Sequence, residues 1–376
     1  MVKKGKAQRR IKDWGQRFRR DADPDTMDST KSETLQPGRV KLGASRMRDR
    51  SEEPDLAARP QAAGMVVGLF PGGACVRVQG GADLLCAIAG TFSPPKGSSA
   101  LAVGDEVAVA LSPVEQVAGQ LHVDKQRTDG FILSRQPRRT ALSRPQPTSG
   151  KRRGRYDEKV FEKVVAANME VLLIVASVRQ PRLRPGLIDR FLIVGERGEL
   201  EPLVVLNKID LGEPDEDTLA MLASVRRPML RCSVVTGEGL EALRSVLRGR
   251  RSVLAGASGT GKSSLVNALV PGADIATATI RQKDQRGRHM TVAATLHELP
   301  GGGLVVDTPG VRELALGMEA TELPWYFPEF AELSGACKFN NCTHTHEPDC
   351  AVIRAVQEGK LPAYRYESYL RILETL

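Results

Sequence analysis

The chain has 376 residues, of which 54 are Lys or Arg and 45 are Asp or Glu, giving a net charge of +9. Hydrophobic residues make up 41% and aromatic residues 4%, so we expect two or three domains with mainly aliphatic cores. No segment approaches the roughly 20 apolar residues of a membrane span, and the basic start lacks a signal peptide's apolar core, which argues against a membrane protein. Six cysteines are too few for a disulfide scaffold, so we expect a cytoplasmic protein.

Two basic segments carry much of the charge. Residues 1–60 hold 16 Lys or Arg against 10 Asp or Glu, and we interpret them as a disordered basic arm. The run Lys125–Arg155 has ten Lys or Arg against Asp129 alone. Such segments favour a phosphate-rich partner, because each cation placed on a phosphate releases a counterion. For the arm alone, a solubilising tail or an organelle transit peptide are alternatives.

Short alternating segments broken by glycine predict a small antiparallel barrel over residues 61–128, followed by a basic linker over residues 129–156. The expected strands are Gly64–Leu69, Cys75–Val78, Leu84–Ile88, Val103–Val107 and Val114–Val123. An OB fold, which commonly binds oligonucleotides, fits this pattern, and an SH3-like barrel would give the same one.

Apolar strands alternate with helical segments over residues 157–318, which predicts a mostly parallel α/β sheet covered on both faces. The expected strands are Val171–Ser177, Leu203–Leu206, Met229–Val235, Val253–Ala255 and Leu304–Val306. The expected helices are Leu187–Glu196, Thr218–Val225, Gly239–Leu247 and Lys262–Leu269.

The loop after Val253–Ala255 matches the phosphate-binding pattern G-x-x-x-x-G-K-[ST]. Its backbone N–H groups and the following helix N-terminus would form an anion cradle. We expect Lys262 to reach the β- and γ-phosphates as a catalytic residue, and Ser263 to bind Mg²⁺. A glycine-rich turn with an unrelated lysine is the alternative. The expected nucleotide-binding residues here are Gly256, Ala257, Ser258, Gly259, Thr260, Gly261, Lys262, Ser263 and Ser264.

Asn207-Lys208-Ile209-Asp210 follows a strand, and its side chains have the hydrogen-bonding groups of a guanine-binding motif. Asp210 can accept both N1–H and N2–H₂ of guanine, Asn207 can bond the N7 edge, and the Lys208 stem can lie along the ring. Ser233 and Val234, at the end of the next strand, would supply a backbone N–H to guanine O6. Alone the pattern could be a surface turn, but ligands of open α/β sheets collect at this edge.

Asp307-Thr308-Pro309-Gly310 follows the strand Leu304–Val306. Asp307 would hold Mg²⁺ through water, and the Gly310 N–H would meet the γ-phosphate; a solvent-exposed turn is the alternative. The polar stretch Gly272–Arg288 suits a loop that orders on γ-phosphate and Mg²⁺, with Thr291 as the second hydroxyl on the metal. The guanine motifs precede the phosphate loop, a circularly permuted order, which is tolerated because domain termini lie close together at the surface.

Cys337-x₄-Cys342-x-His344-x₅-Cys350 supplies three sulfurs and one imidazole, enough for a closed tetrahedral site holding one structural Zn²⁺. His346 is an alternative nitrogen ligand, and unrelated buried cysteines are the alternative to a metal site. We therefore expect a small helical zinc-binding domain over residues 319–376.

The permuted order followed by this cysteine motif resembles the RsgA (YjeQ) family of small-ribosomal-subunit biogenesis GTPases. The likeness covers about residues 62–376 and includes Ala166-Ala167-Asn168, Leu187-Ile188-Asp189-Arg190 and Glu347-Pro348-x-Cys350. It implies a multidomain protein: an N-terminal OB-like barrel, a circularly permuted P-loop GTPase domain and a C-terminal zinc domain. It further implies GTP/GDP, Mg²⁺ and Zn²⁺ as cofactors, with the 30S ribosomal subunit and its rRNA as partners.

The family's run G-R-H-T-T-T reads Gly287-Arg288-His289-Met290-Thr291-Val292 here. Val311 occupies the position where Ras-like enzymes carry the glutamine that orients water, so a slow intrinsic rate is expected. His289 is the family's candidate for this catalytic role, and packing of the loop is its alternative role.

We expect a monomeric GTP hydrolase that acts late in 30S maturation, stimulated by the particle. The alternatives are a nucleotide-gated RNA-binding scaffold with little turnover and an adenine-nucleotide P-loop ATPase.

Overall fold

The computed structural model describes residues 56–95, 97–112, 128–146, 161–214, 216–273, 294–308 and 316–376. These residues form a closed barrel, a two-stranded hairpin, a six-stranded sheet flanked by helices, and a helical C-terminal region. In these ranges, no helix is both long and apolar enough to cross a bilayer. The expected basic arm, apart from its last five residues, and the expected strand Val114–Val123 fall outside the described ranges.

The barrel follows the predicted OB-like architecture. Its strands are β1 (Gln61–Phe70), β2 (Gly73–Val78), β3 (Asp83–Ile88), β4 (Glu106–Leu111) and β5 (Gly130–Arg135), closed in the order β1-β2-β3-β5-β4. β3 pairs in parallel with β5, and the other pairs are antiparallel. Val66, Val76, Val109 and Ile132 fill the interior with no exposed surface, so the core is aliphatic, as the composition indicates.

The structure corrects two expectations for this region. Of the predicted strand Val103–Val107, only the last two residues belong to a barrel strand, because Gly104 is in a turn and β4 begins at Glu106. The expected linker over residues 129–156 instead begins with β5, the fifth barrel strand. Two cations of this part of the run are buried: Arg138 Nε donates to Asp105 Oδ1 at 2.7 Å, and Arg135 lies 3.7 Å from the same carboxylate. A buried acid therefore neutralises cations that the sequence pattern assigns to a solvated linker.

A hairpin of β6 (Ala141–Gln146) and β7 (Phe161–Ala167) connects the barrel to the sheet. Asn168, only 5% exposed, follows β7 and holds this junction. Its Nδ2 donates to the Gly104 carbonyl at 3.0 Å, and its Oδ1 accepts from the Arg139 N–H at 2.9 Å. One buried amide thus bonds the barrel to the hairpin entry, just before the sheet begins.

The α/β domain is built on a six-stranded sheet in the order β10-β9-β8-β11-β13-β12. The strands are β8 (Val171–Ser177), β9 (Glu201–Asn207), β10 (Met229–Arg231), β11 (Arg251–Ala255), β12 (Thr295–Glu298) and β13 (Leu304–Asp307). All pairs are parallel except β12 with β13, which confirms the predicted mostly parallel sheet. The carboxyl ends of the parallel strands therefore share one edge, where open α/β sheets bind ligands.

Four helices accompany the sheet, and three form the C-terminal region. They are α1 (Pro185–Arg197), α2 (Glu216–Ser224), α3 (Leu240–Leu247), α4 (Lys262–Leu269), α5 (Pro328–Ser334), α6 (Ala351–Gln357) and α7 (Ala363–Leu373). Buried aliphatic clusters lie on both faces of the sheet. The C-terminal region adds an aromatic core, in which the ring centroids of Phe330 and Tyr369 are 4.8 Å apart.

A buried ion network fastens the C-terminal region to the α/β domain. Arg365 on α7 pairs with Asp189 on α1 and with Glu329 on α5, and its guanidinium lies 4.8 Å from the centroid of the Phe327 ring. Ser368 also donates to Asp189. Burial raises the pKa of Asp189, and the Arg365 charge opposes that shift. Because two carboxylates share one cation out of contact with water, loss of the arginine should be severely destabilising.

Candidate nucleotide site and metal centre

The phosphate-binding loop lies where the sequence places it, between β11 and α4. Gly256 has φ +145°, and a Cβ there would lie 2.2 Å from the Val175 carbonyl oxygen. Gly261 has φ +91°, and its Cβ would lie 2.4 Å from Asn207 Nδ2. Glycine is therefore required at both positions, because the loop backbone packs directly against β8 and the end of β9.

Lys262 lies over this loop as the first residue of α4. Its Nζ donates to the carbonyls of Gly256 at 2.8 Å and Ala257 at 2.7 Å. Thr260 Oγ1 also donates to Ala257, at 3.0 Å. A positive charge and a helix N-terminus therefore face the same concave backbone, an arrangement that favours phosphate.

The Asn-Lys-x-Asp segment is bonded to the loop, although about fifty residues separate them in the chain. Asn207 Nδ2 donates to the Thr260 carbonyl at 2.9 Å, and Lys208 Nζ donates to the Gly259 carbonyl at 2.7 Å. Asn207 is 2% exposed, which fixes its amide. The structure therefore brings these two predicted motifs together at one sheet edge.

Asp210 lies beside the turn that follows β10. Its Oδ1 accepts from Ser233 Oγ at 2.5 Å, and Ser233 Oγ in turn accepts the N–H groups of Val235 and Thr236, each at 3.2 Å. Ser233 has no exposed surface, whereas Asp210 is exposed and Val234 is half-buried. The predicted strand Met229–Val235 ends at Arg231, so Ser233 and Val234 belong to this turn. A fixed, solvent-facing carboxylate beside backbone N–H groups suits the donor edge and O6 of guanine.

Asp307 ends β13 and is 3% exposed. Its Oδ2 accepts from Ser263 Oγ at 3.3 Å, while Oδ1 is buried with no hydrogen-bond partner among the described residues. Burial raises the pKa of Asp307, and the Ser263 hydrogen bond and the Lys262 charge oppose the shift. An unsatisfied carboxylate oxygen beside a serine hydroxyl is a donor set that suits Mg²⁺ and its water shell.

His297 on β12 is a neighbour of this site that the sequence motifs do not reveal. It pairs with Val305, and alternation along β13 places Asp307 on the same face as Val305. Burial lowers the pKa of His297, the Asp307 charge opposes the shift, and Nε2 has no partner among the described residues. The neutral imidazole limits the positive charge beside Asp307. A short edge strand with one histidine carries no motif by which it could be found.

The remaining predicted nucleotide residues divide into two groups. Ser258 lies exposed in the loop, and Ser264 is in the first turn of α4. His289, Thr291 and Gly310 lie outside the described residues, so their proposed roles stay predictions.

The four predicted metal ligands converge in the C-terminal region. The ligand atoms of Cys337, Cys342, His344 and Cys350 all lie within 4.8 Å of one another. Cys350 Sγ is 3.4 Å from His344 Nδ1 and 4.0 Å from Cys337 Sγ, and Cys337 Sγ is 3.7 Å from His344 Nδ1. Tetrahedral zinc with Zn–S of about 2.3 Å needs ligand separations of roughly 3.5–3.8 Å, so the set fits zinc.

Ser334 on α5 fixes the histidine ring. Its Oγ lies 3.2 Å from His344 Nε2 and donates to the Phe330 carbonyl at 2.6 Å, so Nε2 must be the donor in the first contact. That tautomer leaves the Nδ1 lone pair facing the sulfurs, as metal ligation requires. The alternative ligand His346 is exposed and outside the cluster, and its Nδ1 contacts Thr345 Oγ1 at 2.8 Å.

Comparisons with known proteins agree with this architecture. A family model described as RsgA GTPase matches residues 135–317. A small ribosomal subunit biogenesis GTPase RsgA from Gemmatimonas aurantiaca is 41% identical over 285 residues, covering 74% of this chain and 86% of the relative. The protein of that name from Shewanella oneidensis is 35% identical over 328 residues, 86% of each chain.

Solved structures agree as well. The crystal structure of YjeQ from Thermotoga maritima matches 84% of this chain and 98% of its own, with a TM-score of 0.59 and 30% identity. YloQ, a circularly permuted GTPase, matches at 24% identity with a TM-score of 0.57, which shows the fold alone. On these relatives, together with the permuted motifs at one sheet edge, the chain belongs to the RsgA GTPase family.

Proposed function

We propose that this protein is a Mg²⁺-dependent GTP hydrolase that binds the small ribosomal subunit during its maturation and leaves the particle after hydrolysis. The relatives' names supply the ribosomal partner. The single observation that carries the nucleotide chemistry is the convergence of Asn207, Asp210, Lys262 and Asp307 at one edge of the sheet. We also propose that the protein works as a cytoplasmic monomer.

The residues present support guanine over adenine. Asp210 is held by Ser233 with its carboxylate exposed, so it can accept the paired N1–H and N2–H₂ donors that adenine lacks. Ser263 and Asp307 would hold Mg²⁺, which neutralises charge on the β- and γ-phosphates. Lys262 would place its ammonium on the same phosphates. His289 would position the attacking water, and Thr291 would add a hydroxyl ligand to the metal.

The cysteine cluster supports a structural zinc site rather than a catalytic one. Cys337, Cys342, His344 and Cys350 fill all four positions of a tetrahedron, which leaves none for water or substrate. When bound, zinc would supply only cross-linking of the loop between α5 and α6. These residues would hold the C-terminal region in one shape against the α/β domain.

We further propose that the barrel and the basic segments bind rRNA. The internal pairing of Arg135 and Arg138 with Asp105 removes those two cations from the set available to phosphates. Arg139 pairs with Glu106 at 2.8 Å, but its side chain is 69% exposed, so it can also face a phosphate at the hairpin entry. The affinity for 30S subunits should therefore fall with rising salt, and removal of residues 1–60 should flatten that dependence; an unchanged slope would exclude the arm.

The decisive experiment measures GTP hydrolysis with and without purified 30S subunits, with ATP as the control nucleotide. We expect slow GTP turnover alone, faster turnover with the particle, and no ATP turnover. Turnover of ATP equal to that of GTP would support an adenine-nucleotide ATPase. A Lys262→Ala variant that retains every ribosome-linked activity would support a non-enzymatic scaffold.

A further inference from the structure

The C-terminal region contains an open cavity outside the nucleotide site, on one side of the cysteine cluster, whose Cys342 and His344 form part of its wall. Its volume is about 290 Å³, near the lower end of ligand pockets, so it admits side chains rather than a folded element. Two short segments supply most of its wall: the turn before α5 and the loop between α5 and α6. The lining includes Thr321, Pro324, Trp325, Phe339, Asn340 and Asn341.

Trp325 is the largest exposed apolar side chain at this cavity. A 3₁₀ helix, Leu323–Tyr326, buries Leu323 completely and leaves Trp325 75% exposed. Phe339 on the facing loop is 40% exposed. Two exposed aromatic rings at one cavity are unusual in a chain with 4% aromatic residues, because solvated aromatic surface contributes nothing to folding.

The charge around this cavity is opposite in sign to that of the whole chain. Residues 316–376 carry nine Asp or Glu against five Lys or Arg, whereas the full chain is at +9. Glu319 and Glu322 flank the cavity-lining residues 320 and 321, and both are exposed. Within the described part of the chain, neither has an ion-pair partner.

The neighbouring cation is already engaged. Lys338 Nζ lies 3.6 Å from Asp349 and 5.8 Å from the centroid of the Phe339 ring. The second contact shows that a cation can approach this aromatic face. Nucleic acid would place phosphates beside the carboxylates of Glu319 and Glu322, which is electrostatically unfavourable.

We propose that this aromatic-acidic cavity docks an arginine-bearing segment of a basic polypeptide partner. The guanidinium stacks on Trp325, since planar cations pair well with the indole face, and it reaches the carboxylates of Glu319 and Glu322. Asn340 and Asn341 offer amide groups to the backbone of the same segment. The inference does not depend on the nucleotide or on the ribosomal partner, so it can fail while the proposed function holds.

The test uses the full-length, zinc-loaded protein carrying Trp14→Phe, which leaves Trp325 as the only tryptophan. The probes are a 12-residue peptide of alternating arginine and glycine, the same peptide with glutamate for arginine, and oligouridylate. Trp325 emission is a local reporter, so RNA bound to the basic arm does not interfere. We expect the arginine peptide to change the emission and the other two probes to leave it unchanged.

Variants test the contact itself through anisotropy of a labelled arginine peptide. Trp325→Ala and the double variant Glu319→Gln, Glu322→Gln should each weaken binding by about tenfold. Glu358→Gln with Glu374→Gln removes the same charge from residues that neither line the cavity nor adjoin a lining residue in the chain, and it should leave the affinity unchanged. Zinc content confirms that each variant is folded.

Three results would overturn the proposal. An emission unchanged by the arginine peptide would show that nothing of this chemistry docks on Trp325. An emission changed by oligouridylate and not by the peptide would assign the cavity to nucleic acid. If the Glu358→Gln, Glu374→Gln control binds the arginine peptide as weakly as the Glu319→Gln, Glu322→Gln variant does, the loss of affinity reflects only the net charge of the protein.

Discussion

The nucleotide edge and the metal centre are assembled in opposite ways. The nucleotide groups come from residues 207 to 307, at the ends of separate strands, and meet only because a parallel sheet aligns those ends. The metal ligands come from residues 337 to 350 of one loop region and converge within 4.8 Å. One site therefore depends on sheet topology, and the other on local chain geometry.

This difference explains why a permuted chain order is tolerated at one site. Asn207 and Lys208 contact the phosphate loop through its backbone carbonyls, so the contacts depend on which strands are neighbours and not on which comes first. The metal centre lacks this freedom, because its four ligands and their spacing must stay on one segment. In the chain, permutation of the α/β domain places the segment Asp307-Thr308-Pro309-Gly310 shortly before the C-terminal region that carries the cysteine cluster.

The largest expected effect is the loss of one sulfur ligand. Cys350→Ser should abolish zinc binding and unfold the loop between α5 and α6, because structural zinc contributes about 10 kcal/mol or more to small sites. Zinc content and far-ultraviolet circular dichroism measure this, with Cys232→Ser, a buried cysteine outside the cluster, as the control. GTP affinity should persist in Cys350→Ser; its complete loss would show that the two sites are not separable.

The buried ion network gives the next largest effect. Arg365→Met leaves Asp189 and Glu329 facing each other without their cation, which should cost about 3–5 kcal/mol of unfolding free energy. Urea denaturation measures the loss. Arg226→Met removes a solvent-exposed pair with Glu332 and should cost less than about 1 kcal/mol. Similar losses in both variants would contradict a special role for the buried network.

A smaller effect is expected from the group that orients the histidine ligand. Ser334→Ala frees His344 Nε2 and should weaken zinc affinity about 10- to 100-fold in a competition assay with a chelator. Thr345→Ala changes the contact of the non-ligand His346 and should leave zinc affinity unchanged. Equal affinities for the wild type and Ser334→Ala would remove Ser334 from the metal site.

The smallest effect is a gain in stability at the nucleotide edge. Because burial raises the pKa of Asp307, the ionised form is penalised in the fold, and the cost appears as pH rises through that pKa. Asp307→Asn should therefore stabilise the nucleotide-free protein at neutral pH by on the order of 1 kcal/mol, and the gain should vanish in acid. Thermal unfolding at several pH values measures this.

The same substitution should weaken Mg²⁺-dependent GTP binding. The opposite effects on stability and binding follow from one buried carboxylate oxygen, Asp307 Oδ1, which has no hydrogen-bond partner among the described residues. Asp129→Asn, which removes a barrel carboxylate remote from the sheet edge, is the control for binding. An Asp307→Asn variant with unchanged Mg²⁺ dependence would contradict the assignment.

The sequence predicts an element's bounds best where burial or a local motif alone determines them. β8 coincides with the prediction Val171–Ser177, because all seven residues are buried and only a central parallel strand needs such a run. α4 likewise spans Lys262–Leu269 as predicted, since the phosphate-loop motif sets its start. The convergence of Cys337, Cys342, His344 and Cys350 is predictable for a similar reason, because the spacing of these residues is a local property of the sequence.

The failures occur where a distant partner decides the structure. The predicted linker over residues 129–156 misses β5, because the basic run around Arg135 and Arg138 gives no sign of Asp105, the acid that pairs with both in the fold. β12 is a four-residue edge strand stabilised by β13, and His297 on it has no motif. The local sequence pattern cannot reveal β5 or β12, because the contacts that stabilise each strand come from residues distant in the chain.

The most direct test of the central claim, that permuted strand ends form one guanine-nucleotide site, is equilibrium binding of GTP and xanthosine triphosphate to the wild type and Asp210→Asn. Asp210→Asn replaces one carboxylate acceptor with an amide donor. This exchange should lower the affinity for GTP about 100-fold or more and raise the affinity for xanthosine triphosphate by a similar factor. Lys208 and Ser233 remain in place to hold the base in both proteins. If Asp210→Asn binds both nucleotides as the wild type does, the proposed guanine site is wrong.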